Sequence, residues 1–205
     1  MELKKRDCNI KIRIEPLGAY LMEVVFDFGD SKLEYMPSSA MSGQFGDFVS
    51  ALYTLYTEGF DGHNDWHQKE YHSNGDHRVC ATTTKVLWDA EGTCMEIEMY
   101  KEVNGDTIRI RTRKDFRKTY NEYIVNDRDF CYAVSKACTE AIKRFGFYGY
   151  QYSTGGDLIQ MHQLLFLKAY ALGKMQARQL KVLDKDYDCR KSNFEREMEI
   201  FLFDM

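Results

Sequence analysis

Between positions 63 and 77 stand four histidines, His63, His67, His72 and His77, with Asp61, Asp65 and Glu70 among them. Imidazole and carboxylate are the ligands that zinc takes, and His63 and His67 lie one helical turn apart, the spacing that would set two imidazoles on one face with Glu70 near them. The neighbouring residues do not favour that scaffold. Gly62 and Asn64 disfavour a helix, and in an extended segment His67 and His72 point to opposite faces. A polar surface loop is therefore the favoured reading of 61–77, and a metal-binding protein or enzyme using His63, His67 and Glu70 is the alternative.

A second set of oxygen ligands lies near the end of the chain. Asp184, Asp186, Asp188, Ser192 and Glu195 match positions one, three, five, nine and twelve of an EF-hand calcium loop. Cys189 replaces the glycine that makes the sharp turn of such loops, and Lys191 stands where an apolar residue is usual. An acidic loop between helices, or a helix start whose carboxylates face the positive end of its dipole, suits these residues better. The expectation is no cofactor, with zinc at His63 and His67 or calcium at Asp184, Asp186, Asp188 and Glu195 as the exceptions to test.

Arg109, Arg111 and Arg113, followed by Lys114, Arg117 and Lys118, have the form of a phosphate-binding stripe. Asn104-Gly105 decides against it. An Asn-Gly pair between two alternating runs marks a two-residue hairpin turn, because both central residues must take positive φ. With the turn there, Lys101 faces Ile108, Met99 faces Ile110 and Ile97 faces Thr112 on one side. On the other, Tyr100 faces Arg109, Glu98 faces Arg111 and Glu96 faces Arg113. Two carboxylates answer two guanidiniums across the ladder, so this side reads as a solvated face of a scaffold hairpin. Tyr148, Tyr150 and Tyr152 alternate in the stretch joining two helices, and an extended segment would project them on one side. With Trp66 they are the candidate partner-binding residues, since tyrosine offers large amphipathic area, although packing as a connector over the sheet is the favoured role of the tyrosines.

The elements that must hold these groups follow from periodicity. Asn9 to Ile14 alternates as a half-buried strand, Glu15 to Gly18 reads as a turn, and Tyr20 to Phe28 returns. A short run spans Lys32 to Met36. A helix is predicted from Gln44 to about Glu58, with Ser42 as N-cap and Gly59 after its end. A short strand from Trp66 to Tyr71 precedes a strand from Arg78 to Trp88, then the hairpin, then an edge strand from Thr119 to Val125. Asn126 caps a helix that runs to about Phe145 and stops at Gly146, with Cys131 and Cys138 as small apolar filler on its buried stripe. A third helix runs from Leu158 to about Leu180, and a last element closes the chain from Phe194 to Phe203. The order predicts an α+β fold: an antiparallel sheet of about six strands in hairpin order, a helix inserted after the first strands, and C-terminal helices packed on one face. Residues 1–205 read as one domain, mostly β over 1–125 with one helix and mostly helical over 126–205.

Composition narrows the function classes. With 44% hydrophobic and 29% charged residues and only 2 prolines among 205 residues, the chain is of ordinary globular composition without an evident linker. A net charge of −4 supplies no global field for polyanions, so neither nucleic acid nor membrane is an expected partner. The first fifteen residues show no apolar h-region or small-residue cleavage site and no run approaches membrane length, so neither a signal peptide nor a membrane helix is expected, and six cysteines without a CxxC suggest neither zinc nor a disulfide framework. A cytoplasmic location is expected. No nucleophile elbow, phosphate loop, HExxH or dinucleotide fingerprint is found, so the expectation leans away from an enzyme.

The segment Ser42-Gly-Gln-Phe45-Gly46-Asp47-Phe48-Val49-Ser50-Ala51-Leu52, placed after a strand and before a strand-rich half, resembles small uncharacterised bacterial proteins, some of them immunity proteins of polymorphic-toxin systems. The resemblance covers about the first half of the chain and carries no catalytic residue. It implies an acidic, cytoplasmic, non-enzymatic protein that binds another protein.

Overall fold

A computed structural model describes residues 9–18, 21–35, 44–57, 68–72, 78–90, 93–102, 105–115, 117–153, 159–174 and 194–203. Among them eight strands and four helices follow the order β1 (Lys11–Gly18), β2 (Leu21–Asp27), β3 (Lys32–Tyr35), α1 (Gln44–Thr57), β4 (Gln68–His72), β5 (Arg78–Ala90), β6 (Thr93–Glu102), β7 (Thr107–Lys114), β8 (Asn121–Asn126), α2 (Asp127–Ser153), α3 (Met161–Ala171) and α4 (Phe194–Leu202). The fold is α+β and its sheets are antiparallel. The strands do not make one sheet of about six. They divide into β1-β2-β3 and β4-β5-β6-β7-β8, each a meander. Among the described residues no helix is long and apolar enough to cross a membrane.

Aromatic packing ties the two sheets together. Phe26 of β2, Phe48 of α1, Trp88 of β5 and Phe130 of α2 meet with ring centroids 5.5–6.4 Å apart, and Phe45 joins them. Offset and edge contacts at such distances add to the large area each ring buries. Phe28 stacks on Tyr123 of β8 at 4.4 Å. From Ile10 to Phe201 the buried apolar residues form one cluster. α1 lies on β5 and β6, α2 on β1, β7 and β8, and α3 between α1, α2 and α4. Because α3 has helices on three sides, eight of its eleven residues are buried.

Several boundaries shift for local reasons. β1 runs through the expected Glu15–Gly18 turn, with Pro16 opposite Met22 and a bulge before Gly18. α2 does not end at Gly146. That residue breaks the helix with φ 70°, ψ 164°, and a second helical stretch resumes as far as Ser153. Its positive φ is one that glycine takes without cost. α3 stops at Ala171 well short of Leu180, because Gly173 takes φ 71° and the Lys174 amide donates back to the Ala169 carbonyl at 2.8 Å, closing the helix end. Cys131 and Cys138 are both fully buried in α2, as filler should be.

The start of α2 is anchored from both directions. The Asn126 carboxamide oxygen accepts from the amides of Arg128 and Asp129, each at 3.1 Å, and its Nδ2 donates to the Asp106 carbonyl at 3.1 Å. Asn126→Ala is expected to cost about 1 kcal/mol of unfolding free energy, read from urea denaturation. A loss near zero would mean that the cap is decorative.

Lys101 is the one charged residue on the inner face of β6, where the hairpin register puts it among apolar neighbours. Asp127 answers it at 3.0 Å, with both side chains almost fully buried. Lys101 also donates to the Gly105 carbonyl, and Tyr170 of α3 donates to Asp127 at 2.5 Å. One buried ion pair thus joins sheet, α2 and α3. Burial, then the hydrogen bond to the Asp127 carboxylate, raises Tyr170 well above the ordinary tyrosine range. Burial likewise raises Tyr56, whose ring packs on Tyr170 at 4.6 Å. A raised folded-state value means that the fold favours the neutral phenol, so this stabilisation is complete below about pH 10 and is lost as pH climbs above it. The urea midpoint is expected to fall in that alkaline range, and Tyr170→Phe to make the fall shallower. Equal slopes in both proteins would contradict the assignment.

Candidate functional site: the outer face of the five-stranded sheet

Alternation gives the five-stranded sheet two unlike faces. Val86, Trp88, Met95, Ile97, Met99, Ile108 and Ile110 point inward and are buried. Opposite them the ladder reads, across three strands, Leu87 beside Glu96 beside Arg113. The next rows place Glu98, Arg111 and Glu122 in line, then Tyr100, Arg109 and Ile124. The hairpin pairs expected from Asn104-Gly105 are the pairs observed, from Glu96 with Arg113 to Lys101 with Ile108.

This face is not simply solvated, as register alone had suggested. Glu96 is only 1% exposed. Arg113 contacts it through Nε at 2.7 Å and a terminal nitrogen at 3.0 Å, and the Tyr120 hydroxyl donates to it at 3.0 Å. Tyr120 belongs to the connection between β7 and β8. Asp115 reverses the chain with φ 52°, held by its amide on the Cys94 carbonyl at 2.8 Å and its carboxylate on the Cys94 amide at 2.9 Å. The returning segment then lays Tyr120 over the sheet, with the Arg111 guanidinium 4.1 Å and the Arg113 guanidinium 4.9 Å from its ring centre. Planar guanidiniums suit such stacking.

The remaining charges continue the lattice. Arg111 lies 3.6 Å from Glu98 and 3.8 Å from Glu122, and Arg109 lies 3.6 Å from Glu122. Tyr100 donates to Glu98 at 2.6 Å. Burial and this hydrogen bond push the Tyr100 phenol up to about 12. Burial and the bond to Glu96 also raise Tyr120. At the two ends of the array Leu87 and Ile124 are 49% and 59% exposed. Among the described side chains of this array, three guanidiniums face three carboxylates and balance them. The array offers a preordered amphipathic surface of tyrosine and arginine between two exposed aliphatic side chains.

Of the residues singled out from sequence, some fall on other elements and some are not described. His63, Trp66 and His67 lie outside the described residues. Glu70 falls in β4 opposite Cys80. Tyr148, Tyr150 and Tyr152 fall within α2 rather than in an extended segment, so the strand-like alternation expected of them does not apply. Tyr150 is 3% exposed and donates to the Met22 sulfur at 3.8 Å, which removes it from the partner-binding candidates and makes it core. Asp184, Asp186 and Asp188 lie outside the described residues, while Glu195 stands in the first turn of α4 with Glu197. Leu87, Tyr120 and Ile124 were missed. The available signals were Leu87 and Ile124 themselves, apolar residues out of phase with the inward positions of their strands; nothing local announced Tyr120.

Compared with known proteins, the chain matches no family model, and no curated protein or solved structure shows significant similarity to it.

Proposed function

We propose that this is a non-enzymatic protein-binding module, of the kind represented by immunity proteins, and that it engages its partner through the outer face of β5 to β8. The observation that carries the reading is the ordered Tyr100–Arg111–Tyr120 array between the exposed side chains of Leu87 and Ile124. Tyrosine and arginine are the residues most often found at binding hot spots, and holding them in place before association lowers the ordering cost of binding. The internal neutrality of the array suits a protein surface of mixed charge better than nucleic acid or an anionic membrane.

Proteins encoded beside the gene supply the partners to test. In calorimetric titration one of them is expected to bind. Replacing Leu87→Lys and Ile124→Lys together should weaken that complex about 100-fold, equivalent to about 2.7 kcal/mol, with an unchanged circular dichroism spectrum. Binding equal to wild type would place the interface elsewhere.

A further inference from the structure

We propose that the protein pairs with a second copy of itself along the outer edge of β8, so that two five-stranded sheets join across a two-fold axis. The two sheets of the chain end in four edge strands, β1, β3, β4 and β8. An edge presents N–H and C=O groups that template another strand, and proteins block such edges with proline, lysine, bulges or shortness. Three of the four carry a block of this kind. β1 has Pro16 and a bulge and lies against α2, β3 is four residues long with Lys32 and Glu34, and β4 has Lys69. β8 has no proline, glycine, lysine or arginine, and its register with β7 runs without a shift. Its one charge, Glu122, is drawn toward Arg109 and Arg111 on the β7 side. Among the described residues no strand pairs with its outer edge.

The Asp127 amide donates to the Asp106 carbonyl at 2.9 Å, which sets the phase of the β7–β8 ladder. In an antiparallel pair the residues that bond across alternate along the strand, so Asn121, Tyr123 and Val125 turn N–H and C=O toward β7, while Glu122 and Ile124 turn theirs outward. A second β8 related by a two-fold axis can meet these outward groups in few registers. Centred on Glu122, it sets two carboxylates opposite one another, which is unfavourable. Shifted so that Glu122 faces Ile124, it sets a charge against an aliphatic chain. Centred on Ile124, it sets Ile124 against Ile124 of the second copy, Glu122 against the uncharged Asn126, and Tyr123 against Val125 on the inner face. This last register leaves no charge facing its like, and it gives Ile124, 59% exposed in the single chain, an apolar neighbour. Because Ile124 stands on the outer face beside Arg109, the two tyrosine and arginine arrays then run on as one surface with the paired isoleucines at its middle.

Sedimentation equilibrium of the full chain alone, over a concentration series, should show a mass rising toward twice 24.1 kDa. Hydrogen exchange followed by NMR locates the contact. The outward amides of Glu122 and Ile124 should slow as the dimer fills, whereas those of Tyr123 and Val125, turned toward β7, should not change. Ile124→Pro removes an N–H from the outward side alone and should leave a monomer with an unchanged circular dichroism spectrum, while Ile124→Val should still dimerise. Leu87→Lys, at the other end of the face, should weaken the partner complex proposed above and leave self-association intact, so either reading can fail without the other. A monomer at every concentration, or a dimer in which the Glu122 and Ile124 amides exchange as fast as in dilute protein, would overturn the proposal.

Discussion

Asp127→Ala is expected to destabilise the protein by about 3–5 kcal/mol, because it leaves the Lys101 ammonium buried without the carboxylate that answers it. Lys101 and Asp127 are 6% and 2% exposed at their side chains and 3.0 Å apart, so water cannot replace the lost charge. Tyr170 loses its acceptor in the same step. The penalty arises from stranding one charge rather than from the pair being intrinsically favourable, and this yields a sharper expectation. Lys101→Met combined with Asp127→Leu should recover much of the loss, since apolar groups of similar volume often match a buried ion pair. Urea unfolding of Lys101→Met, Asp127→Leu and the double variant completes the cycle. A single-variant loss below about 1 kcal/mol would show the pair to be hydrated in solution.

Trp88→Ala should cost a comparable amount, about 3–5 kcal/mol, for a different reason. Trp88 is fully buried and its ring meets Phe26, Phe45 and Phe48 at 5.5–6.2 Å. Its removal opens a cavity where β2, α1 and β5 come together, so no single element can relax into the space. Either loss would be a large share of the roughly 5–15 kcal/mol that holds a typical folded domain. Guanidinium unfolding should show a lower midpoint for Trp88→Ala, and Trp88→Phe should retain most of the stability. Equal losses from Phe and Ala would mean that the indole, not the filled volume, matters there.

What could be read from sequence was what depends on neighbours. Asn104-Gly105 fixed the hairpin register down to Glu96 with Arg113, and Asn126 marked the start of α2 through a capping geometry that needs only three residues. What depends on distant contacts was hidden. The packing of two separate sheets against one another rests on Phe26 meeting Trp88 and Phe28 meeting Tyr123, which no periodicity encodes. Gly146 was correctly seen as a break, but the helix resumes beyond it, and that restart turned an apparent row of tyrosines into one core residue and its helical neighbours. Glu96 looked solvated because its burial comes from Tyr120, which reaches it from the far side of the β7–β8 connection. The face that now carries the proposed function is the same hairpin face whose charges had seemed merely to cancel. Cancelling them is what makes it a neutral, ordered surface.

Methyl cross-saturation NMR of the complex with a partner encoded beside the gene tests that face most directly. The methyl signals of Leu87 and Ile124 should be among the most strongly attenuated, with those of the buried Ile97, Ile108 and Ile110 on the opposite side of the same sheet unaffected. Attenuation confined to methyls away from β5 to β8, or failure of every neighbouring gene product to form a complex, would contradict the proposed interface.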